Sequence, residues 1–324
     1  MSSRFSAAAA AVPEPALPSR RPRRPFAARL GSRAAPYLLI LPACLVIGAV
    51  LGYPLYFMGH LSLQHYGLFQ LIRHKGEWIG LKNYSQILHD GLFWHVVART
   101  LAFTAAAVSL TMALGTLIAL LLAELGSKMR LLLTAGLIFV WAMPVVVAVA
   151  VWSWMIDIEF GVLNWLLTYL HVGNFNHHDW FASTWSGWVV ITSLVVWGAI
   201  PFVALMVYAG LTQVPKELVE AARTDGASAW RVFRDVTVPL LKPIFVILTS
   251  LSIIWDFQVF TQPFLLRLQR PDPGYWLMSI YAYEKSFGIS QYGLGSAIAL
   301  VMLLLMLSVT FFYIRQMVKI GDAE

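Results

Sequence analysis

The chain has 324 residues, of which 59% are hydrophobic and only 12% charged, and its mean hydropathy is +0.71. A soluble domain carries about 25% charged residues, so the composition excludes an ordinary globular enzyme and indicates several membrane crossings. The net charge of +7 does not imply nucleic-acid binding, because the lysines and arginines gather in the N-terminal tail and at the ends of apolar runs, and a single cysteine, Cys44, excludes an internal disulfide.

Residues 1–35 combine an alanine run, several prolines and six arginines between Arg20 and Arg33, the composition of a disordered basic tail. Six apolar runs follow, at about 36–60, 95–122, 131–156, 186–211, 243–262 and 291–314. Each is long enough for a helix across a ~30 Å hydrocarbon layer, which takes about 20 residues. The first run continues well past Leu41-Pro-Ala-Cys44, unlike the short apolar core of a cleaved signal. Placing both termini in the cytoplasm assigns 16 of the 23 lysines and arginines to inner segments and 7 to outer ones, the bias that sets membrane orientation. The expected fold is an all-α integral membrane protein with six transmembrane helices and cytoplasmic termini. Its parts are the tail 1–35, the first helix and outer loop 36–94, a core of five helices 95–314, and a short cytoplasmic tail 315–324.

The outer loops carry their own signals. The first contains Ile79-Gly80-Leu81-Lys82-Asn83-Tyr84. The second, 157–185, predicts a short interfacial helix over Val162–Leu170, with Trp165, Trp180, Trp185 and Trp188 as an aromatic belt. The third has a turn-rich tip, Arg270-Pro271-Asp272-Pro273-Gly274. Pro144 and Pro201 lie inside the third and fourth runs, where prolines kink helices and free backbone carbonyls.

The stretch between the fourth and fifth runs, 212–242, is amphipathic and charged. Pro215 is suited to open a helix, and Glu217 and Glu220 lie in its first turns, where the helix dipole favours acids. Asp225-Gly226 is a turn signal, Ser228 an N-cap for a second short helix, and Trp230 and Phe233 share its face at i, i+3. Pro239 and Pro243 end it. The expectation is a helix–turn–helix lying flat between two spans.

Glu220-Ala221-Ala222, three residues, Gly226, nine residues, then Val236-Thr237-Val238-Pro239 resembles the "EAA" loop of bacterial ABC-importer permeases, with valine replacing the pattern's Ile and Leu. The Gly80–Tyr84 segment resembles the GLxNY run of the sugar-type members, and Tyr292-Gly-Leu-Gly-Ser-Ala-Ile-Ala299 resembles the opening of their last helix. The third outer loop lacks their T-x-G-G-P-like run. The resemblance implies a type I ABC-importer permease fold in the bacterial inner membrane. It implies a second homologous permease, two ATPase subunits and an extracytoplasmic solute-binding protein as partners. It also implies that Glu220, Ala221, Ala222, Asp225, Gly226 and Pro239 couple the chain to the ATPase. The expected cargo is a sugar or oligosaccharide; an amino acid, osmolyte or glycerol-phosphate is the alternative, and an ion-coupled secondary transporter the rival of another class.

No Gly is followed by Lys, so no phosphate-binding P-loop exists in the chain. ATP and Mg would belong to the partner ATPase, and no cofactor or catalytic group is expected here. His177-His178-Asp179 is read as a solvated outer-loop run rather than a metal site. Ionisable groups inside spans are costly and mark function by default. The clearest is Asp256, in Trp255-Asp256-Phe257-Gln258 of the fifth run. A sugar needs polar acceptors beside flat aromatic faces, so Trp255, Asp256 and Gln258, with Trp197 and Tyr292, are candidates for the substrate pathway. The other reading of Asp256, a polar tie to a neighbouring helix or to the partner permease, stays open.

Overall fold

The computed structural model describes the backbone from Phe26 to Gly321, and side chains from Tyr37 to Tyr313 and at Arg315. Most of the expected tail lies outside the described residues. Its last part does not stay irregular: helix α1 (Phe26–Ile47) starts at Phe26 rather than at residue 36. Alanine, leucine and arginine favour a helix there, and it runs on through Gly31 and Pro36 into the first apolar run. Gly48–Gly52 is π-helical and α2 (Tyr53–Ser62) completes the run. The chain divides between Tyr56 and Phe57 into two units. The first, as described, holds α1, the π-helical turn and the opening of α2; the second holds the remainder.

At the C-terminal end of α2 a two-stranded antiparallel ribbon forms from β1 (Gln64–His65) and β2 (Glu77–Trp78), with α3 (Leu68–Arg73) between them and α4 (Lys82–His89) after. Asn83 explains the GLxNY-like run. Its buried amide donates to the carbonyls of Ser62 at 2.8 Å and Gln64 at 2.9 Å, and Tyr84 donates to the Ser62 hydroxyl at 2.8 Å. The segment thus caps the end of α2, whose last carbonyls have no helical partner.

Helix α5 (Gly91–Glu124) is 34 residues long. Its buried residues, among them Phe93, Val96, Thr100, Phe103, Ala107, Thr111, Gly115, Ala119 and Leu122, recur at the helical period. This stripe packs on α9 (Thr184–Leu211). At Gly115 a Cβ would stand 2.6 Å from Val203 Cγ1, so the glycine sets how closely the two helices approach. Between them lie α6 (Ser127–Ala142), α7 (Val145–Met155) and α8 (Val162–Tyr169), the last on the residues expected for the interfacial helix.

The third span is not one straight helix. Helices α6 and α7 meet at 102° across Met143-Pro144. Pro144 lacks an amide proton and forces Met143 into an extended conformation (ψ 128°), which ends α6. Pro201, by contrast, sits inside an uninterrupted α9. The chain continues with α10 (Lys216–Thr224), α11 (Ala229–Val232), a π-helical turn at Phe233–Thr237, α12 (Val238–Leu240) and α13 (Lys242–Phe257). The fifth span is completed by α14 (Thr261–Leu266), followed by α15 (Met278–Tyr283) and the last span α16 (Tyr292–Gly321). Among the described residues there are five spans, and six when the bent α6–α7 pair is counted as one.

Candidate functional site

The first candidate surface is the loop between the fourth and fifth spans. Helix α10 buries no residue completely. It ends in a Schellman motif: the Gly226 amide donates to the Arg223 carbonyl and the Ala227 amide to the Ala222 carbonyl, both at 3.0 Å. Gly226 stands at φ +82°, the left-handed conformation that closes such an end. Ser228 then caps α11 by accepting from the Arg231 amide at 3.4 Å. Trp230 and Phe233 face each other with ring centroids 5.7 Å apart, and Trp230 stays largely exposed. The side of α10 bearing Lys216, Glu220 and Arg223 borders a crevice against Glu124 at the end of α5, while Ala221, Asp225 and Pro239 are exposed. Arg234 and Asp235 pair in the open at 2.6 Å; that hydrogen bond holds the carboxyl below its usual range and the guanidinium above its own. The element is built from local capping and presents its residues outward, as a docking surface requires.

The second site lies at the break in the third span. Trp141, Met143 and Val145 of the α6–α7 corner, Trp197 and Phe202 of α9, and Trp255, Asp256 and Gln262 of the fifth span border a cavity of about 250 Å³. Asp256 is only 4% exposed, and its Oδ2 has no hydrogen-bond partner among the described residues. Phe202 and Trp255 meet edge to face at 5.2 Å, and Trp152 backs Trp197 at 6.0 Å. Of the predicted pathway residues, Trp197, Trp255 and Asp256 come together here. Gln258 does not: α13 ends at Phe257, and Gln258 turns outward as its C-cap. Tyr292 lies at the start of α16 against Tyr66 and Phe287. Gln262 takes the place expected of Gln258. It follows Asp256 by six positions, a spacing no continuous helix puts on one face, and only the irregular turn before Thr261 brings them to one cavity.

The segment between α7 and α9 is organised around Asn164, which is buried. Its amide donates to the carbonyls of Asp157 at 3.2 Å and His178 at 3.0 Å, and its oxygen accepts from Trp180 Nε1 at 2.7 Å. The three residues of the His-His-Asp run point to separate partners. His177 pairs with Glu159 at 3.3 Å, His178 packs on Phe175 and Trp180, and Asp179 accepts from the Phe181 amide at 2.8 Å.

A set of membrane-length helices with one broken span, a buried aspartate beside a cavity at that break and an exposed capped helix–turn–helix before the fifth span has the architecture of a transport permease. The chain belongs to the family "Binding-protein-dependent transport system inner membrane component", which it matches over residues 113–317. It is a multi-pass inner-membrane protein. It is 44% identical over 300 residues to the diacetylchitobiose uptake system permease protein of Streptomyces coelicolor, covering 92% of each chain. It is 33% identical to the trehalose/maltose transport system permease protein of Thermococcus litoralis, covering 86% of this chain and 92% of that one. Among solved structures it resembles a chain of a bacterial ABC transporter involved in the import of the acidic polysaccharide alginate, with a TM-score of 0.73 at 17% identity, covering 91% of this chain and 99% of that one. That likeness establishes the fold of an ABC-importer permease.

Proposed function

We propose that this chain is a permease subunit of an ATP-driven importer for a sugar or oligosaccharide. The single observation that carries the reading is its 44% identity, along nearly the whole of both chains, to the diacetylchitobiose uptake permease. The exposed α10–α11 hairpin supports the coupling role: Glu220, Ala221, Ala222, Asp225, Gly226 and Pro239 dock on a separate ATPase that holds ATP and Mg. The chain itself is non-catalytic. A second permease completes the pathway, and a solute-binding protein delivers cargo from outside. Closure of the ATPase pair is transmitted through α10, and rigid-body rocking of the spans opens the pathway to the other side. Trp197, Trp255 and Asp256 line this chain's part of the route.

The test is a mild-detergent purification of the tagged chain followed by an ATPase assay and mass identification. A P-loop ATPase and a second multi-span permease are expected to co-purify. A chain that purifies alone and still moves sugar in liposomes overturns the reading.

A further inference from the structure

We infer that the segment opening α8 is a binding site for a phospholipid of the ethanolamine class: a crevice there holds the zwitterionic phosphoethanolamine head, and the exposed apolar face of α8 carries the acyl chains. The site needs only the inner-membrane location and is independent of the cargo. Three observations converge. The first is the reversed amphipathicity of α8. Val162, Trp165, Leu166 and Tyr169 recur at i, i+3, i+4 and i+7 and are all exposed, whereas Asn164 is buried. A helix facing water turns such a stripe toward the core; here the stripe turns away from the protein and the amide turns in. Phe160, Leu170 and Val172 extend the exposed apolar face at both ends. Trp165 and Tyr169 stack at 5.3 Å, and these are the ring types that collect at a membrane–water interface.

The second is a crevice where that face meets polar groups. Glu159, Phe160, Val162, Trp165, Asn176 and His177 border a cavity of about 310 Å³, at the small end of ligand clefts. Phe160, Val162 and Trp165 belong both to the crevice and to the apolar face, so a ligand seated here has one polar and one apolar side. That is the boundary between headgroups and acyl chains.

The third is charge. His177 Nδ1 and a Glu159 carboxylate oxygen lie 3.3 Å apart, and the two side chains are 68% and 66% exposed. Among the described residues no lysine or arginine borders the crevice. A primary ammonium donates to Glu159 and has the Trp165 ring in the same crevice. A phosphate accepts from the His177 ring and from the Asn176 amide, and the ring carries an N–H in either protonation state. A choline head has the same charge but no N–H to give to Glu159. A net anionic head meets one imidazole and the repulsion of Glu159.

The test is lipid retention by the full chain, purified in detergent with whatever subunits accompany it. Dioleoyl lipids with ethanolamine, choline and glycerol heads are offered in equal amounts at neutral pH, and bound lipid is counted by native mass spectrometry. The ethanolamine lipid is expected to be retained about threefold or more over either of the others, and to slow hydrogen exchange over residues 158–177. Glu159→Gln removes its advantage over the choline lipid. His177→Phe weakens both zwitterionic lipids together and keeps their ratio. The pair is exposed, so both variants keep the fold. Equal retention of the three lipids, a preference unchanged in Glu159→Gln, or no retained lipid overturns the inference. Displacement by equimolar soluble phosphoethanolamine also overturns it, because the crevice would then take a free solute without help from acyl chains. A face covered by a protein subunit would show exchange over 158–177 that lipid leaves unchanged, and that result overturns it too.

Discussion

The amide of Ala227 lies 3.0 Å from the carbonyl of Ala222, and this bond folds the chain back over the end of α10 at Gly226. The glycine of the EAA-like motif is thus a helix terminator. A Cβ added there would meet nothing within 4 Å, so bulk alone costs nothing; the cost comes from φ +82°. An L-residue pays about 1–2 kcal/mol to adopt the left-handed region, β-branched residues more and asparagine less. Gly226→Val is expected to raise hydrogen exchange at the last amides of α10 about 5–30-fold and to impair ATP-driven uptake. Gly226→Asn retains most of both. Equal loss in the two variants would show that the position is read by the ATPase directly and does not act through its backbone.

Asn83 closes the end of the first span with two hydrogen bonds. Leucine at this position would keep the volume and leave the carbonyls of Ser62 and Gln64 without these donors. Each unsatisfied buried group costs about 1–3 kcal/mol, so Asn83→Leu should lower the thermal midpoint in detergent by several degrees. An unchanged midpoint would mean water replaces the amide at no cost. Gly293 at the head of α16 belongs to the same junction: its amide donates to Tyr66 at 3.0 Å, and a Cβ there would collide with the Gln64 carbonyl.

Spans and the helix–turn–helix were legible because each rests on local rules. Twenty apolar residues demand a helix in lipid, and the Asp225-Gly226 turn and the Ser228 cap are written in neighbouring residues. The corner at Pro144 was only half legible. Proline announces disturbance, yet Pro201 carries the same signal and sits in an unbroken helix. The cavity wall was legible in part: Trp197, Trp255 and Asp256 stand in it as expected, while Gln262 was not foreseen. Gln258 and Gln262 are both amides close to Asp256 in sequence, and the choice between them depends on the helix ending at Phe257. Asn83 was marked only as part of the GLxNY-like run, and Asn164 escaped notice altogether, because a buried amide that organises carbonyls carries no charge signature.

Tyr281 donates to Asp90 Oδ2 at 2.8 Å, tying α15 to the N-cap of α5, where Asp90 also accepts from the Leu92 amide. Burial, and then the hydrogen bond to Asp90, push the phenol well above its ordinary range. A raised value means the contribution is complete below the unfolded phenol's pKa, near 10, and is lost only as pH rises further. Tyr281→Phe is therefore expected to cost about 1.5–3 kcal/mol, the worth of a hydrogen bond to a charged group, and to cost the same at pH 7 and pH 9. A penalty that shrinks between those two values would show that the phenol ionises early and that the bond is not what stabilises the junction.

Asn164 decides whether the loop between α7 and α9 holds its shape. Both ends of its side chain are used: two donated bonds hold Asp157 and His178, and one accepted bond holds the Trp180 indole. Aspartate is nearly isosteric but inverts half of this arrangement. It still accepts from Trp180, while its second oxygen faces two carbonyls and has no proton to give. Alanine simply removes the three bonds. The penalty for a misplaced acceptor exceeds that for a missing donor, because the buried charge must also be desolvated. Asn164→Asp should thus loosen the loop at least as much as Asn164→Ala at neutral pH. Limited proteolysis between residues 157 and 180, on protein reconstituted so that this face is accessible, reads the difference. Lowering the pH to protonate the introduced carboxyl should recover part of the protection in the aspartate variant and none in the alanine variant. If both are cut at the wild-type rate, the loop is ordered by its aromatic contacts and Asn164 is incidental to it.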